Sequence, residues 1–183
     1  MNVSVDVVWL GRGGQGAVTA AMLLAQAALN RGLYALAIPF FGAERRGAPV
    51  FAYNKISSST IYSRSRVEQG DIVAVMDPSL LMSYKPEKIA KPGGTIIASG
   101  TKCPEIPGDF KTYMLDAVGI AEDLGLKVAG FALVNMPMLG AVARASGLVG
   151  KTELEEAVKQ LIKAHVDKNI EAVKRGWEHV KSC

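Results

Sequence analysis

The residues with the clearest chemical potential form a glycine-rich stretch near the start of the chain, Gly11-Arg-Gly-Gly-Gln-Gly16. Its first, third and sixth positions match the G-x-G-x-x-G spacing, which allows a tight turn and close approach of a ligand to the backbone. The stretch lies between an apolar run, 3–10, and an Ala- and Leu-rich run, 17–30, so we expect it to join a strand to a helix. Unpaired N–H groups at the start of such a helix favour phosphate binding. The alternative is a turn that binds nothing, because one match to this motif is weak.

The following residues argue against a nicotinamide or flavin dinucleotide. Residues 34–38 are typical of a second buried strand, which completes a strand–helix–strand unit with an expected parallel, right-handed connection. In a dinucleotide-binding unit the end of that strand carries an acid for the ribose hydroxyls. Here no acid precedes Glu44. Another phosphate-bearing ligand remains compatible with the motif.

A second distinctive segment, 40–49, combines Glu44 with the adjacent Arg45 and Arg46. Arginine is favoured where protein chains meet, so the segment predicts an interface with another chain. The alternative is a surface Arg–Glu pair that contributes little stability.

The segment 134–141 opens an apolar helix that is expected to run to about residue 146. Asn135 is a candidate N-cap, since proline at position 137 suits the first turn of a helix. Met136 and Met138 are expected to form an apolar interface surface, because methionine is favoured at interface cores.

The sequence contains no recognisable catalytic centre. Neither a G-x-S-x-G elbow nor a phosphate-binding loop ending in lysine is present. His165 and His179 have no neighbours at metal-ligand spacing, so no metal site is predicted. Cys103 and Cys183 are far apart and cannot alone hold an iron–sulfur cluster. We expect them to be reduced thiols of a cytoplasmic protein.

The composition indicates one globular domain spanning residues 1–183. Hydrophobic residues make up 49% and charged residues 21%, far from the composition of disordered chains. The formal charge is +4, but basic and acidic residues are mixed, which argues against nucleic-acid binding. Polar residues interrupt the longest apolar stretch, 128–149, so neither a membrane span nor a membrane partner is expected. The N-terminal residues lack the features of a signal peptide.

The order of apolar runs and breakers predicts an α/β fold in a single three-layer domain. The sheet is expected to be mostly parallel and Rossmann-like, with helices on both faces and an antiparallel hairpin, formed by 50–57 and 61–62, at its edge. Thr152-Glu-Leu-Glu155 is a possible capping box. An amphipathic helix or helix pair should follow it, with Leu154, Val158, Leu161 and His165 on one side. Further strands are predicted at 71–76, 95–98 and 113–115, and further helices at 18–29, 79–84 and 119–124.

Four segments together, 11–16, 41–49, 71–78 and 135–140, resemble the gamma subunits of the 2-oxoacid:ferredoxin oxidoreductases, and most closely those of the pyruvate enzymes. The resemblance covers essentially the whole chain, with the motifs in order. It implies a complex that oxidatively decarboxylates a 2-oxoacid to acyl-CoA and reduces ferredoxin. The partners would be alpha, beta and ferredoxin-like delta subunits, and thiamine diphosphate and the iron–sulfur clusters would lie in those partners only. This chain would then be non-catalytic and inactive alone.

The resemblance also implies that this chain helps to bind coenzyme A through the same glycine turn. The expected contact residues are Gly11, Arg12, Gly13, Gly14, Gln15 and Gly16, together with Asn135. The alternative within the same complex is a purely structural assembly subunit without a ligand site. A stand-alone nucleotide-dependent enzyme is disfavoured, because catalytic residues and the ribose-binding acid are missing.

Overall fold

The computed structural model describes residues 2–40 and 47–183. Its strands are β1 (Ser4–Arg12), β2 (Tyr34–Phe40), β3 (Pro49–Ser57), β4 (Gly70–Val75), β5 (Ala90–Ser99), β6 (Lys111–Leu115), β7 (Lys127–Val128), β8 (Phe131–Ala132) and β9 (Lys181–Ser182). Its helices are α1 (Ala17–Asn30), α2 (Pro86–Ile89), α3 (Ala117–Asp123), α4 (Asn135–Ser146), α5 (Lys151–Leu161) and α6 (Val166–His179), with a 3-10 helix over Pro78–Met82. Within these residues, no helix is long and apolar enough to cross a membrane.

One mixed sheet has the strand order β2-β3-β1-β4-β5-β6-β9, and β7 and β8 form a separate hairpin. Strands β1, β4, β5 and β6 pair in parallel, whereas β3 runs antiparallel to both β1 and β2. Since β2 therefore runs in the same direction as β1, the sheet is mostly parallel, which confirms the expected fold class.

The position of β3 corrects two predictions. Strand β3 lies between β1 and β2, with Tyr53 opposite Val8 on one side and Ile38 on the other, so it does not lie at the edge of the sheet, where its hairpin was predicted. The predicted hairpin with 61–62 is also wrong, because those residues lie outside any strand and Tyr62 is 90% exposed. Both edges of β3 already have strand partners, which leaves no edge for a third.

The hydrophobic core is divided between the two faces of the sheet. Alternate residues of β1 point to opposite faces, so Val7 and Trp9 pack on one side while Val8 and Leu10 pack on the other. The first side is covered by α1 and by α3 to α6. Short pieces, the 3-10 helix, α2 and loops, cover the second side. Helices thus lie on both faces, as predicted, but the long ones share a single face.

Helix α4 is packed between the sheet and α6. Met136 is 3% exposed and Met138 is fully buried, so the expectation that these methionines form an exposed interface surface is wrong. Close contact with α6 explains the burial, since a Cβ on Gly140 would overlap the backbone of Val173. Helix α4 therefore belongs to the core of this chain.

The C-terminal helix pair, α5 and α6, confirms the coarse prediction and corrects its details. The N–H of Gly150 donates to Oε2 of Glu153 at 2.9 Å, so the predicted box of Thr152 and Glu155 is wrong and the helix starts two residues earlier than that box requires. Leu161 ends α5 and is 38% exposed. His165 precedes α6 with a left-handed φ of 52°. The predicted common apolar side therefore ends at Val158.

A disulfide joins Cys103 to Cys183, so the expectation of two separate reduced thiols is wrong. Strand β9 runs antiparallel to β6, and the N–H of Cys183 donates to the carbonyl oxygen of Thr112 at 2.8 Å. This return of the chain brings its last residue beside the loop that connects β5 to β6, where Cys103 lies.

Candidate functional site

The glycine turn connects β1 directly to α1. Strand β1 extends through Arg12, and α1 begins at Ala17. The left-handed backbone falls at Gly14, with φ 95°, and at Gly16, with φ 87°, conformations that favour glycine. Within residues 2–40 and 47–183, no side chain caps the N-terminus of α1. In the described part of the chain, the N–H groups of the first turn of α1 therefore have no side-chain acceptor, as expected for an anion-binding helix start.

Gln15 holds the turn in shape. Its Oε1 accepts a hydrogen bond from the N–H of Arg12 at 2.7 Å, and a Cβ on Gly11 would lie 3.1 Å from the same oxygen. The carbonyl end of the Gln15 side chain is thus used internally. Its NH₂ group makes no hydrogen bond within residues 2–40 and 47–183.

Arg12 is fixed by three partners: Asp77 and Ser79, which follow the carboxyl end of β4, and Gly47, which precedes β3. Its Nε forms a short ion pair with Asp77, Nη1 donates to the carbonyl oxygen of Gly47 at 3.0 Å, and Nη2 donates to Oγ of Ser79 at 2.9 Å. Much of its charge is therefore compensated. Asp77 was not predicted as a site residue from the sequence. It lies just after the end of β4, next to Pro78, and because β1 and β4 are parallel neighbours, their carboxyl ends lie side by side.

Asp77 is the titratable group of the site with the clearest perturbation. Burial on its own would raise the pKa of Asp77, but hydrogen bonds from Ser79 and Arg12, with the nearby Arg12 charge, outweigh burial and lower it. The carboxylate is therefore ionised at neutral pH. It also accepts from the N–H of Ser79 at 3.0 Å, which caps the 3-10 helix.

Asn135 supports the turn from behind. Its side chain packs against Gly16, where an added Cβ would lie 2.7 Å from Cγ of Asn135. The predicted capping role is wrong, because Asn135 is already inside α4 and Val134 precedes the helix without a side-chain hydrogen bond. Instead, Oδ1 of Asn135 accepts from the N–H of Met136 at 3.0 Å.

The residues that precede and begin β3 close the other side of the turn. The N–H of Gly13 donates to the carbonyl oxygen of Ala48 at 2.9 Å, and the N–H of Gly47 donates to that of Gly13 at 3.4 Å. In a dinucleotide-binding unit, the second strand of the unit would run beside the glycine turn. Here β3 separates β2 from it, which gives a structural reason for the missing ribose-binding acid.

A cavity of about 540 Å³, the glycine crevice, opens in front of the turn. One wall carries Arg12, Asp77 and the turn residues Gly13, Gly14 and Gln15. The opposite wall is largely apolar and comes from α3 and the hairpin of β7 and β8. Three apolar residues of this wall are exposed to solvent: Val118 to 43%, Val128 to 49% and Phe131 to 63%. The sequence analysis had not singled out this apolar wall.

The structure thus brings together most, though not all, of the residues expected at the site. Arg12, Gly13, Gly14 and Gln15 line the crevice, whereas Gly11, Gly16 and Asn135 lie behind it as packing residues. Glu44, Arg45 and Arg46 lie outside the described residues. Among the described residues, no group of three or more His, Cys, Asp or Glu side chains could hold a metal ion.

Comparisons with known proteins agree with this architecture. Residues 6–179 match the family model of pyruvate ferredoxin/flavodoxin oxidoreductase. The common gamma subunit of the pyruvate/ketoisovalerate oxidoreductases of Thermococcus kodakarensis is 40% identical, with 94% of this chain and 95% of that protein covered. The crystal structure of the pyruvate oxidoreductase subunit PORC of Thermotoga maritima has a TM-score of 0.80 at 32% identity and covers 98% of both chains.

A third, more distant match is the structure of 2-oxoglutarate:ferredoxin oxidoreductase from Magnetococcus marinus with 2-oxoglutarate, coenzyme A and succinyl-CoA bound. Its TM-score is 0.76 at 20% identity, and the match covers 94% of this chain but 30% of that one. At this identity the likeness shows the fold alone.

The chain therefore belongs to the pyruvate ferredoxin/flavodoxin oxidoreductase family. Within that family, it matches gamma-type subunits over nearly its whole length. The resemblance inferred from the sequence motifs is confirmed.

Proposed function

We propose that this chain helps to bind coenzyme A at the glycine crevice and helps to hold its oxidoreductase complex together. The complex would oxidatively decarboxylate pyruvate to acetyl-CoA and reduce ferredoxin. The chain would act as a non-catalytic gamma subunit beside alpha, beta and ferredoxin-like delta subunits. Thiamine diphosphate and the iron–sulfur clusters would be held by those partners, and the chain alone would be inactive.

The observation that carries the coenzyme A proposal is that Gly14 and Gln15 line the crevice directly before the start of α1, which has no side-chain cap among the described residues. The first-turn N–H groups of α1 and the positive end of its dipole can bind a phosphate without any lysine. The N–H of Gly13 already donates to Ala48 and that of Gln15 to Arg12, so the backbone donors must be Gly14 and the residues from Gly16 onwards. The NH₂ group of Gln15 can add a side-chain hydrogen bond.

The opposite wall suits the uncharged part of such a ligand. Val118, Val128 and Phe131 provide exposed apolar surface within the same crevice, where a pantetheine chain or an adenine ring could pack. Glu122 also lines this wall, but its charge is partly offset by Lys127, whose Nζ lies 3.5 Å from Oε1 of Glu122. The coenzyme A and succinyl-CoA in the Magnetococcus marinus enzyme are compatible with such a role.

The decisive experiment measures the Michaelis constant for coenzyme A in the assembled complex carrying Gly14→Ala, with 2-oxoacid and electron acceptor saturating. A Cβ at Gly14 meets nothing within 4 Å in this chain, so the variant should fold. It would, however, fill space that the ligand needs. Overpacking typically costs about 1–3 kcal/mol, so the constant should rise roughly 5-fold to 150-fold.

The matched control is Gly147→Ala at the end of α4. Gly147 also has a positive φ, 66°, and open space around a Cβ, so backbone strain is similar, but it does not line the crevice. The Michaelis constant for coenzyme A of the complex carrying Gly147→Ala should stay unchanged. If Gly14→Ala assembled and left that constant unchanged as well, the turn would bind no coenzyme A, and the purely structural role would replace this proposal.

The assembly role has a separate test. Glu44, Arg45 and Arg46 remain predicted interface residues, since arginine is favoured at interface cores. The double variant Arg45→Ala and Arg46→Ala should weaken association with the partner subunits, measured by co-purification and sedimentation. Unchanged assembly would refute their role. A cytoplasmic location and the absence of nucleic-acid partners stay predictions from the sequence.

A further inference from the structure

A second cavity lies on the sheet face opposite the long helices. It has a volume of about 520 Å³ and is formed by β2, β3 and the segments 66–68 and 84–89. We call it the aromatic cleft, after its main lining residues Phe40, Phe51, Tyr53, Tyr84, Arg66 and Lys88. It shares no lining residue with the glycine crevice. The coenzyme A proposal therefore does not account for it.

Three aromatic rings form a fixed wall of the cleft. The ring of Phe51 is nearly parallel to that of Tyr53, with centroids 6.1 Å apart, and meets the ring of Tyr84 edge-on at 5.0 Å. Mutual contact limits the freedom of these rings, so they offer a preformed apolar surface. Planar groups pack well on such a surface in stacked or edge-on arrangements.

The hydroxyl group of Tyr53 is the unusual polar group of the cleft. Tyr53 is only 6% exposed, yet its hydroxyl forms no hydrogen bond with any residue in 2–40 or 47–183. No fully buried side-chain oxygen or nitrogen in the described chain lacks a partner, so this hydroxyl must reach the cavity. Burial raises the pKa of Tyr53, although the charge of Arg66 opposes the rise. The hydroxyl is therefore neutral and able to donate at physiological pH.

The charges of the cleft favour an anion. The guanidinium of Arg66 lies 5.9 Å from the centroid of the Phe40 ring, and Lys88 lies on the same lining. Neither cation makes a salt bridge within the described residues. Glu68 is the acid among the lining residues, so positive charge is in excess.

We propose that the aromatic cleft is a second binding site, for a small ligand in which a planar ring carries a phosphate or carboxylate group. The ring packs on Phe51 and Tyr84, the anionic group binds Arg66 and Lys88, and the hydroxyl of Tyr53 donates a hydrogen bond. Small-molecule sites typically occupy about 300–1,000 Å³, with aromatic walls and a few convergent polar groups.

The test uses the full chain with ring-labelled tyrosine, observed by NMR. The chain has five tyrosines, so their signals can be assigned with single Tyr→Phe variants. The probes are adenosine monophosphate, benzoate and inorganic phosphate. We expect one ring-bearing probe to shift the signals of Tyr53 and Tyr84 saturably, at least tenfold more tightly than phosphate alone. Tighter binding of adenosine monophosphate would indicate a nucleotide ligand, and tighter binding of benzoate would indicate an aromatic acid.

Variants assign the contacts. Tyr53→Phe should weaken the tighter probe roughly 2-fold to 10-fold, as expected for one lost hydrogen bond. Arg66→Ala should weaken it and also reduce the salt dependence of binding. Arg64→Ala is the matched control, because Arg64 is an exposed neighbour that does not line the cleft. Gly14→Ala in the glycine crevice should leave the affinity unchanged.

Three results would overturn the proposal. The first is the absence of saturable shifts at Tyr53 and Tyr84 with all the probes. The second is an equal effect of Arg64→Ala and Arg66→Ala, which would indicate attraction by surface charge alone. The third is loss of probe binding when the partner subunits assemble, which would show that a protein segment, not a small ligand, occupies the cleft.

Discussion

Replacing Gly16 by alanine is expected to destabilise the chain in two separable ways. Gly16 has a left-handed φ of 87°, and a Cβ there would lie 2.7 Å from Cγ of Asn135. The left-handed conformation costs an alanine about 1–2 kcal/mol. The steric overlap adds about 1–3 kcal/mol, as is typical of overpacked cores. The free energy of unfolding should therefore fall by roughly 2–5 kcal/mol.

Gly14→Ala isolates the backbone contribution. Gly14 has a similar φ of 95°, but a Cβ there meets nothing within 4 Å. This variant should lose only about 1–2 kcal/mol. Urea unfolding followed by circular dichroism measures both variants, and unchanged m-values would show that the difference in midpoint reports stability alone.

A double-mutant cycle with Asn135→Ala then tests the steric contribution. Removing the amide relieves the overlap, although Cβ of Asn135 would remain 3.0 Å from the new methyl group. The double variant should therefore be more stable than the sum of the single effects by about 1–2 kcal/mol. If Gly16→Ala and Gly14→Ala lost the same stability, and no coupling to Asn135 appeared, the proposed packing of α4 on the glycine turn would be refuted.

Further predictions concern the disulfide, an ion pair and a helix crossing. Cys183→Ser should lower the unfolding free energy by about 2–4 kcal/mol and make the urea midpoint insensitive to reductant; a midpoint still sensitive to it would be inconsistent with the bond. The pKa of Asp77 is lowered, so its stabilisation is present above its ordinary pKa and lost as the pH falls below about 4. Asp77→Asn should flatten this acid dependence, and an unchanged pH profile would argue against the Arg12 pair. Gly176→Ala would place a Cβ against the backbone of Pro137 and should cost about 3 kcal/mol or more in calorimetry, whereas Gly147→Ala should cost less.

Local sequence patterns were sufficient to predict most of the helices and strands, but not which of them lie next to each other in the fold. Apolar runs and glycine breakers predicted β1, α1 and β4 within a few residues. They could not place β3 between β1 and β2, because a strand's alternation does not specify its partner. The burial of Met136 and Met138 had a sequence signal, since α4 is apolar on nearly all sides, as buried helices are.

Contacts between residues far apart in the chain could not be predicted from the sequence. Arg12 and Asp77 are 65 positions apart and meet only because β1 and β4 are parallel neighbours. Cys103 and Cys183 are 80 positions apart, and their pairing depends on the return strand β9. In both cases topology, not local composition, supplies the contact.

Strand β3 also determines the direction from which a ligand can reach the glycine turn. Gly47 and Ala48, which directly precede β3, are hydrogen-bonded to Gly13 and block the turn on the side of β2. Anything bound at the start of α1 must extend the other way, toward Asp77 and the hairpin of β7 and β8. Changing this fold to accept a nicotinamide dinucleotide would therefore require removal of a whole strand, because no single substitution could open the blocked side.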